Sequence, residues 1–146
     1  MALLHDPSVR ASVEARLAKL RPESKPAWGK MSVSQMLWHV NQALDQALGR
    51  VQPDPKTFPV PPALMRFVAL NLPWTKNAPT NKAFIPVEQH DFNTELARCR
   101  KLVAEVTAQP IDKLPAKHPA FGQMTGKQQS QLHAKHLDHH LKQFGV

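Results

Sequence analysis

Apolar residues recur at three- and four-residue spacing in four stretches of the chain, and proline breaks the segments between them. On a helix this spacing gathers apolar side chains onto one face. The first stretch follows Asp6-Pro7 and runs to Leu20, with Val9, Val13, Leu17 and Leu20 as its stripe. Asp6 is placed to cap it, Pro7 suits its first turn, and Pro22 and Pro26 stop it. The second opens at Ser32 and buries Val33, Met36, Leu37, Val40, Leu44, Ala47 and Leu48, with Gly49 as a natural stop. Ser32 and Gln35 have the spacing of a capping box, and Met31 and Met36 that of a hydrophobic staple. The third runs from Glu88 to Ala108, carrying Phe92, Leu96, Cys99, Leu102, Val103 and Val106 inward and leaving His90 and Asp91 in an exposed first turn. The fourth follows Thr125, whose side chain is placed to reach the amide near Gln128. Its inward half holds Leu132, Leu137, Leu141 and Phe144, while Lys135, Asp138 and Lys142 face water.

Between the second and third stretches, residues 50–87 hold Pro53, Pro55, Pro59, Pro61, Pro62, Pro73, Pro79 and Pro86. No long helix survives that density of proline. ALMRFVALNLPW reads as a short apolar turn or helix, KNAPTNKAFIP as extended loop, and Phe67 and Trp74 as packing residues. A connection this long can run from one end of a bundle to the other and roof a pocket. PIDKLPAKHPAFG, from Pro110 to Gly122, reads as a second loop. The expected fold is all-α: a single four-helix-bundle domain over residues 1–146, with a long proline-rich connection between helices 2 and 3.

Composition adds limits. At 42% hydrophobic and 21% charged residues the chain is ordinary for a globular protein. No apolar run approaches the roughly 18 residues of a membrane span. MALLHDPSVR carries an acid and a proline too early for a secretory signal. The lone Cys99 excludes an internal disulfide and falls on an apolar stripe, where it reads as a buried thiol. A cytoplasmic protein without membrane attachment is expected. The formal net charge of +8 raises the question of nucleic acid. Its basic residues are dispersed, with Arg98, Arg100 and Lys101 the densest group, and there is no basic tail, finger spacing or aromatic interleaving. A solvated basic surface accounts for the charge, and a nucleic-acid partner is not expected.

The candidate chemistry lies in Gln131–Val146, which holds four of the chain's eight histidines. His136 and His140 are one helical turn apart between the leucines of the inward face, with His133 before them and Gln143 after them on the same stripe. Imidazoles turned inward need partners. His-x-x-x-His is the spacing at which two of them can grip one metal ion, but two ligands do not make a site. His39, at the edge of the second stripe with Ala43 beside it, is either a satisfied boundary histidine or a third ligand. His139 points about a quarter-turn away from the pair, toward a rim. His118, next to Pro119, either overhangs the site or makes a simple loop contact.

Trp28–His39 (WGKMSVSQMLWH), Ala78–Thr80 (APT), His118–Thr125 (HPAFGQMT) and Lys135–Gly145 (KHLDHHLKQFG) resemble an uncharacterised branch of the DinB-like superfamily of metal-binding four-helix bundles. The resemblance spans nearly the whole chain, and the last segment is its most specific part. It implies that His39, His136 and His140 bind a divalent transition metal, zinc or nickel above others. Gln143 matches the family glutamine beyond the last histidine, where it can hold a ligand's outer nitrogen or a water. Characterised relatives in the superfamily include transferases and isomerases that use low-molecular-weight thiols such as bacillithiol or mycothiol. A metal-dependent transferase or hydrolase acting on a small molecule or such a thiol is therefore expected, with no general base except spare histidines. The rival readings are a non-catalytic, stress-related bundle whose metal is structural or opportunistic, and a metal-free histidine network. A two-fold dimer through bundle faces fits the pattern without being demanded by it.

Overall fold

The computed structural model describes residues 2–52, 59–78, 80 and 82–146. Five α-helices carry the chain: α1 (Pro7–Leu17), α2 (Val33–Ala47), α3 (Pro62–Asn71), α4 (Phe92–Ala108) and α5 (Gly126–Gln143). Two 3-10 turns, Lys82–Phe84 and Ile111–Lys113, and a two-stranded antiparallel ribbon, β1 (Lys117–His118) with β2 (Gly122–Gln123), complete the described elements. The fold is thus mostly helical, as expected. Pro53, Pro55 and Pro79, which mark the proline-rich connection, lie outside the described residues.

The expected Ser32–Gln35 capping box forms, and the cap expected at Thr125 is a second such box. The Ser32 hydroxyl accepts from the Gln35 amide while Gln35 Oε1 accepts from the Ser32 amide, and Thr125 and Gln128 repeat the exchange at α5. Helix α2 is the central element. It packs on α4 and α5, which also both contact α1, and only three of its fifteen residues escape full burial. The main core joins Val13, Leu17 and Leu20 to Met36, Leu37, Val40 and Leu44 of α2, with Cys99, Leu102 and Val106 of α4 and Leu137 and Leu141 of α5. Cys99 is fully buried, and that burial pushes its thiol up to about 12, which suits an inert packing residue.

Five local expectations are corrected. The Asp6 side chain does not cap α1; its carboxylate accepts from the Leu3 amide instead. Helix α1 ends at Leu17, and Leu20 reaches the core from the turn beyond. Helix α4 starts at Phe92 rather than Glu88, because Asp91 is the residue that caps, accepting from the Thr94 amide at 2.9 Å. His90 is then outside the helix and stacks on Trp38 at 5.1 Å, half-buried rather than exposed. The fifth concerns Lys135: instead of facing water, its ammonium donates to the carbonyls of Ala69 (2.8 Å) and Leu72.

That lysine explains why a proline-flanked decapeptide holds as helix α3. Gln131 Nε2 and the Trp74 indole N–H satisfy Leu70 and Ala69 carbonyls alongside it, so the exposed C-terminal end of α3 is closed by donors from α5 and from its own exit loop. A second apolar cluster, Leu70, Met124 and Leu132 with Trp74 and Phe121 against it, glues α3 and the ribbon to α5. The ribbon, inside what the pattern reads as plain loop, is tied to α3 by Arg66, which donates to the Phe121 and Gln123 carbonyls. No helix among the described residues is long and apolar enough to cross a membrane.

Candidate metal centre

His39 comes from the second turn of α2 and His136 and His140 from the C-terminal half of α5. Their rings form a near-equilateral triangle, with centroids 4.9 Å (His39–His136), 4.8 Å (His39–His140) and 4.8 Å (His136–His140) apart. Each pair is close to perpendicular, at 79°, 76° and 76°, so the three rings are set like blades around one axis. One nitrogen of each lies within 4.8 Å of the others. Among the described residues this is the group of histidine, cysteine or acid side chains that could hold a metal ion.

The outer nitrogens decide how the rings face. His39 Nδ1 donates to the Phe84 carbonyl at 2.7 Å, and His140 Nδ1 donates to Gln143 Oε1 at 2.7 Å. Both rings are thereby held as the tautomer that leaves Nε2 unprotonated and aimed inward, the arrangement found behind metal-ligating histidines. His39 Nε2 lies 3.0 Å from His136 Nε2. Two zinc-bound nitrogens in a tetrahedral site would be about 3.3 Å apart, so the triangle needs little adjustment to accept an ion.

Burial also keeps the rings neutral. It lowers His39, takes His140 down to about 3 and lowers His136 well below the ordinary histidine value, with the neighbouring imidazoles adding to the effect. Neutral imidazole is the form that binds metal.

The triad opens on a cavity of about 600 Å³. Trp28, from the loop before α2, and Trp74, from the loop after α3, form part of its wall and flank His139 with ring centroids 5.5 Å from it on each side. His139 is half-buried and lines the cavity between the two indoles. Trp74 also lies 5.8 Å from His136, so it walls the cavity as well as packing on the Leu70–Met124–Leu132 cluster. His118 lines the cavity from the ribbon, stacked on Phe121, and its Nδ1 accepts from the Ala120 amide at 3.0 Å. It stands outside the three-nitrogen cluster and does not close it as a fourth ligand.

Gln143 is more than a helix-end packing residue. While its Oε1 holds His140, its Nε2 donates to the Trp28 carbonyl at 2.9 Å, and its own carbonyl accepts from the Ala27 amide at 2.7 Å. One side chain therefore fixes a ring of the triad and a wall of the cavity together. Gly29 makes this approach possible: its φ is +82°, and a Cβ there would stand 2.8 Å from Gln143 Nε2.

Two contributors are not apparent in the sequence pattern, the Phe84 carbonyl and the cavity-lining side chain of Gln46; His133, which the pattern places on the inward stripe, lines the cavity as well. Among the described residues the lining contains no aspartate or glutamate, and its charged residue is Lys30. An ion held by three neutral imidazoles would keep its full charge here and would draw an anionic or strongly polarised ligand to its open positions.

The family model described as "Protein of unknown function (DUF1569)" matches residues 7–145. The chain belongs to that family. No curated protein and no solved structure matches it.

Proposed function

We propose that this protein is a divalent-metal-dependent enzyme of transferase or hydrolase type, with His39, His136 and His140 holding the ion. The observation that carries the reading is the triangle of three imidazoles, one ring nitrogen of each within 4.8 Å of the others and two of the rings held by Phe84 and Gln143, at the edge of an open aromatic-walled cavity. A closed structural site would surround the ion with four protein ligands, whereas three ligands facing a cavity leave room for a reactant. The ion would supply Lewis acidity, favouring the deprotonated form of a thiol or water near neutral pH. Phe84 and Gln143 hold the rings, Trp28 and Trp74 exclude bulk water from one side, and His139 and His118 are the titratable groups nearest to hand for moving a proton.

The resemblance to the DinB-like superfamily supports zinc or nickel as the ion and a low-molecular-weight thiol or other small molecule as the reactant. In that reading α1, α2, α4 and α5 are the four helices of the bundle, and α3 with the ribbon is an elaboration that walls the site.

One observation favours the alternative of a non-catalytic metal- or ligand-binding protein: no carboxylate among the described residues lines the cavity to serve as general base. Cobalt-substituted protein separates the two. Visible absorption that changes on adding a small thiol shows a reactant reaching the ion, whereas a spectrum indifferent to thiols, azide and hydroxamates denotes a closed site and sinks the enzyme reading.

A further inference from the structure

Helices α2 and α5 run antiparallel along the cavity. The C-terminal end of α2 and the 109–115 segment share one small surface pocket, and near the start of α5 Gln129 Nε2 donates to the Pro115 carbonyl at 2.9 Å. Moving from the triad toward that end, α2 presents Ala43 and then Gln46, and α5 presents His133; all three line the cavity. Ala43 is small and leaves the passage open, while Leu132 and Phe121 add apolar wall.

Gln46 and His133 are unusual in one respect. They are only 6% and 3% exposed, yet neither side chain has a hydrogen-bond partner among the described residues. Their polar atoms are not sealed in protein either, since the fully enclosed side-chain atom lacking a partner there is Asn41 Oδ1. They face the open space of the cavity. Buried polar groups without partners cost free energy and are rarely left so without an occupant. Both are uncharged, the His133 ring held neutral by burial, and each offers a donor and an acceptor. Lys30 belongs to the opposite end, before α2 begins. The far end of the cavity is therefore polar without charge.

We infer that the site takes a bifunctional small molecule: one end ligates the ion at the triad, and an uncharged polar group, a hydroxyl or amide, is hydrogen-bonded by His133 and Gln46 at the other. This rests on the metal reading of the triad and adds the class of ligand. The helical rise sets the span. His133 is one turn from His136, roughly 4.5 Å along α5, and Gln46 two turns from His39, roughly 10 Å along α2. An apolar linker of a few carbons between the two groups fits that interval and the apolar walls. A terminal ammonium or carboxylate does not fit, because no charged side chain among the described residues lines that end to neutralise it.

The test uses zinc-loaded protein of verified metal content and three hydroxamates: hexanohydroxamate, its terminal alcohol and its terminal amine. Dissociation constants are read from the quenching of Trp28 and Trp74 fluorescence. The alcohol should bind about tenfold more tightly than the plain alkyl compound, as one or two net hydrogen bonds supply, and the amine more weakly than the alcohol. His133→Leu and Gln46→Leu should each reduce the alcohol's advantage, leaving alkyl binding within about twofold, and His133→Gln should retain part of it. Equal binding of alcohol and alkyl compounds, or a preference that survives both leucine variants, overturns the inference while leaving the metal site intact. Failure to take up zinc, or to bind any hydroxamate once loaded, overturns the functional reading and this inference together.

Discussion

Gln143 Oε1 accepts from His140 Nδ1 at 2.7 Å, and the same amide donates to the Trp28 carbonyl at 2.9 Å. Removing the pair leaves His140 free to rotate and to change tautomer. Gln143→Leu should therefore lower zinc affinity about 10- to 100-fold, the usual cost of losing a partner behind a metal-bound histidine. Competition titration against a chelator measures it. Unchanged affinity would mean that the contact only packs the end of α5.

Gly29 should be intolerant of even one methyl group. Alanine at φ +82° costs about 1–2 kcal/mol from the backbone alone, and the 2.8 Å approach to Gln143 Nε2 adds strain. Urea melts of Gly29→Ala should show at least that loss, together with altered Trp28 fluorescence. Gly49 provides the control. It has a φ of +74° but no atom near its missing Cβ, so Gly49→Ala should cost only the backbone part.

Metal-free protein should lose stability in acid. Burial takes His133 and His140 to about 3 and His118 to about 4, against the ordinary 6.5. Between pH 6.5 and those values the unfolded chain binds protons that the folded chain refuses. Stability is thus fully present above about pH 6.5 and falls as pH drops, by up to about 1.4 kcal/mol per pH unit for each such group. Urea midpoints at pH 7.5, 6 and 5 test this, and a flat profile over that range contradicts neutral buried rings.

Lys135 holds the end of α3 through the Ala69 and Leu72 carbonyls. Lys135→Met keeps the aliphatic stem and removes the donor. Amide hydrogen exchange in α3 should accelerate by at least about tenfold, the loss expected from even one hydrogen bond of about 1.5 kcal/mol to a charged group. Exchange in α2 and α4 should be unaffected.

The two capping boxes and the inward faces of α2 and α5 are readable because local chemistry and helical period agree with the tertiary structure at those points. Asp6 misleads because its carboxylate is taken by the Leu3 amide, and the expected start at Glu88 because period alone does not say that Asp91, three residues on, caps the helix. The His136–His140 pair is legible from spacing, and His39 as its neighbour only through resemblance, since no local rule relates residues 97 positions apart. The Phe84 carbonyl and the Trp28 and Trp74 walls depend on the path of the long connections. His133 and Gln46 show the remaining gap. Periodicity tells which side faces inward, but not where the interior is hollow.

His39 is the residue on which the account turns, because α5 alone supplies only two ligands. Metal content should be measured after zinc reconstitution and gel filtration of the untagged protein and of His39→Ala, with helicity monitored by circular dichroism. The account predicts about one equivalent in the wild type and little in the variant, at nearly unchanged helicity, as expected when an ion loses one of three protein ligands. Equal zinc retention by the two proteins, or none in the wild type, would contradict the three-histidine centre.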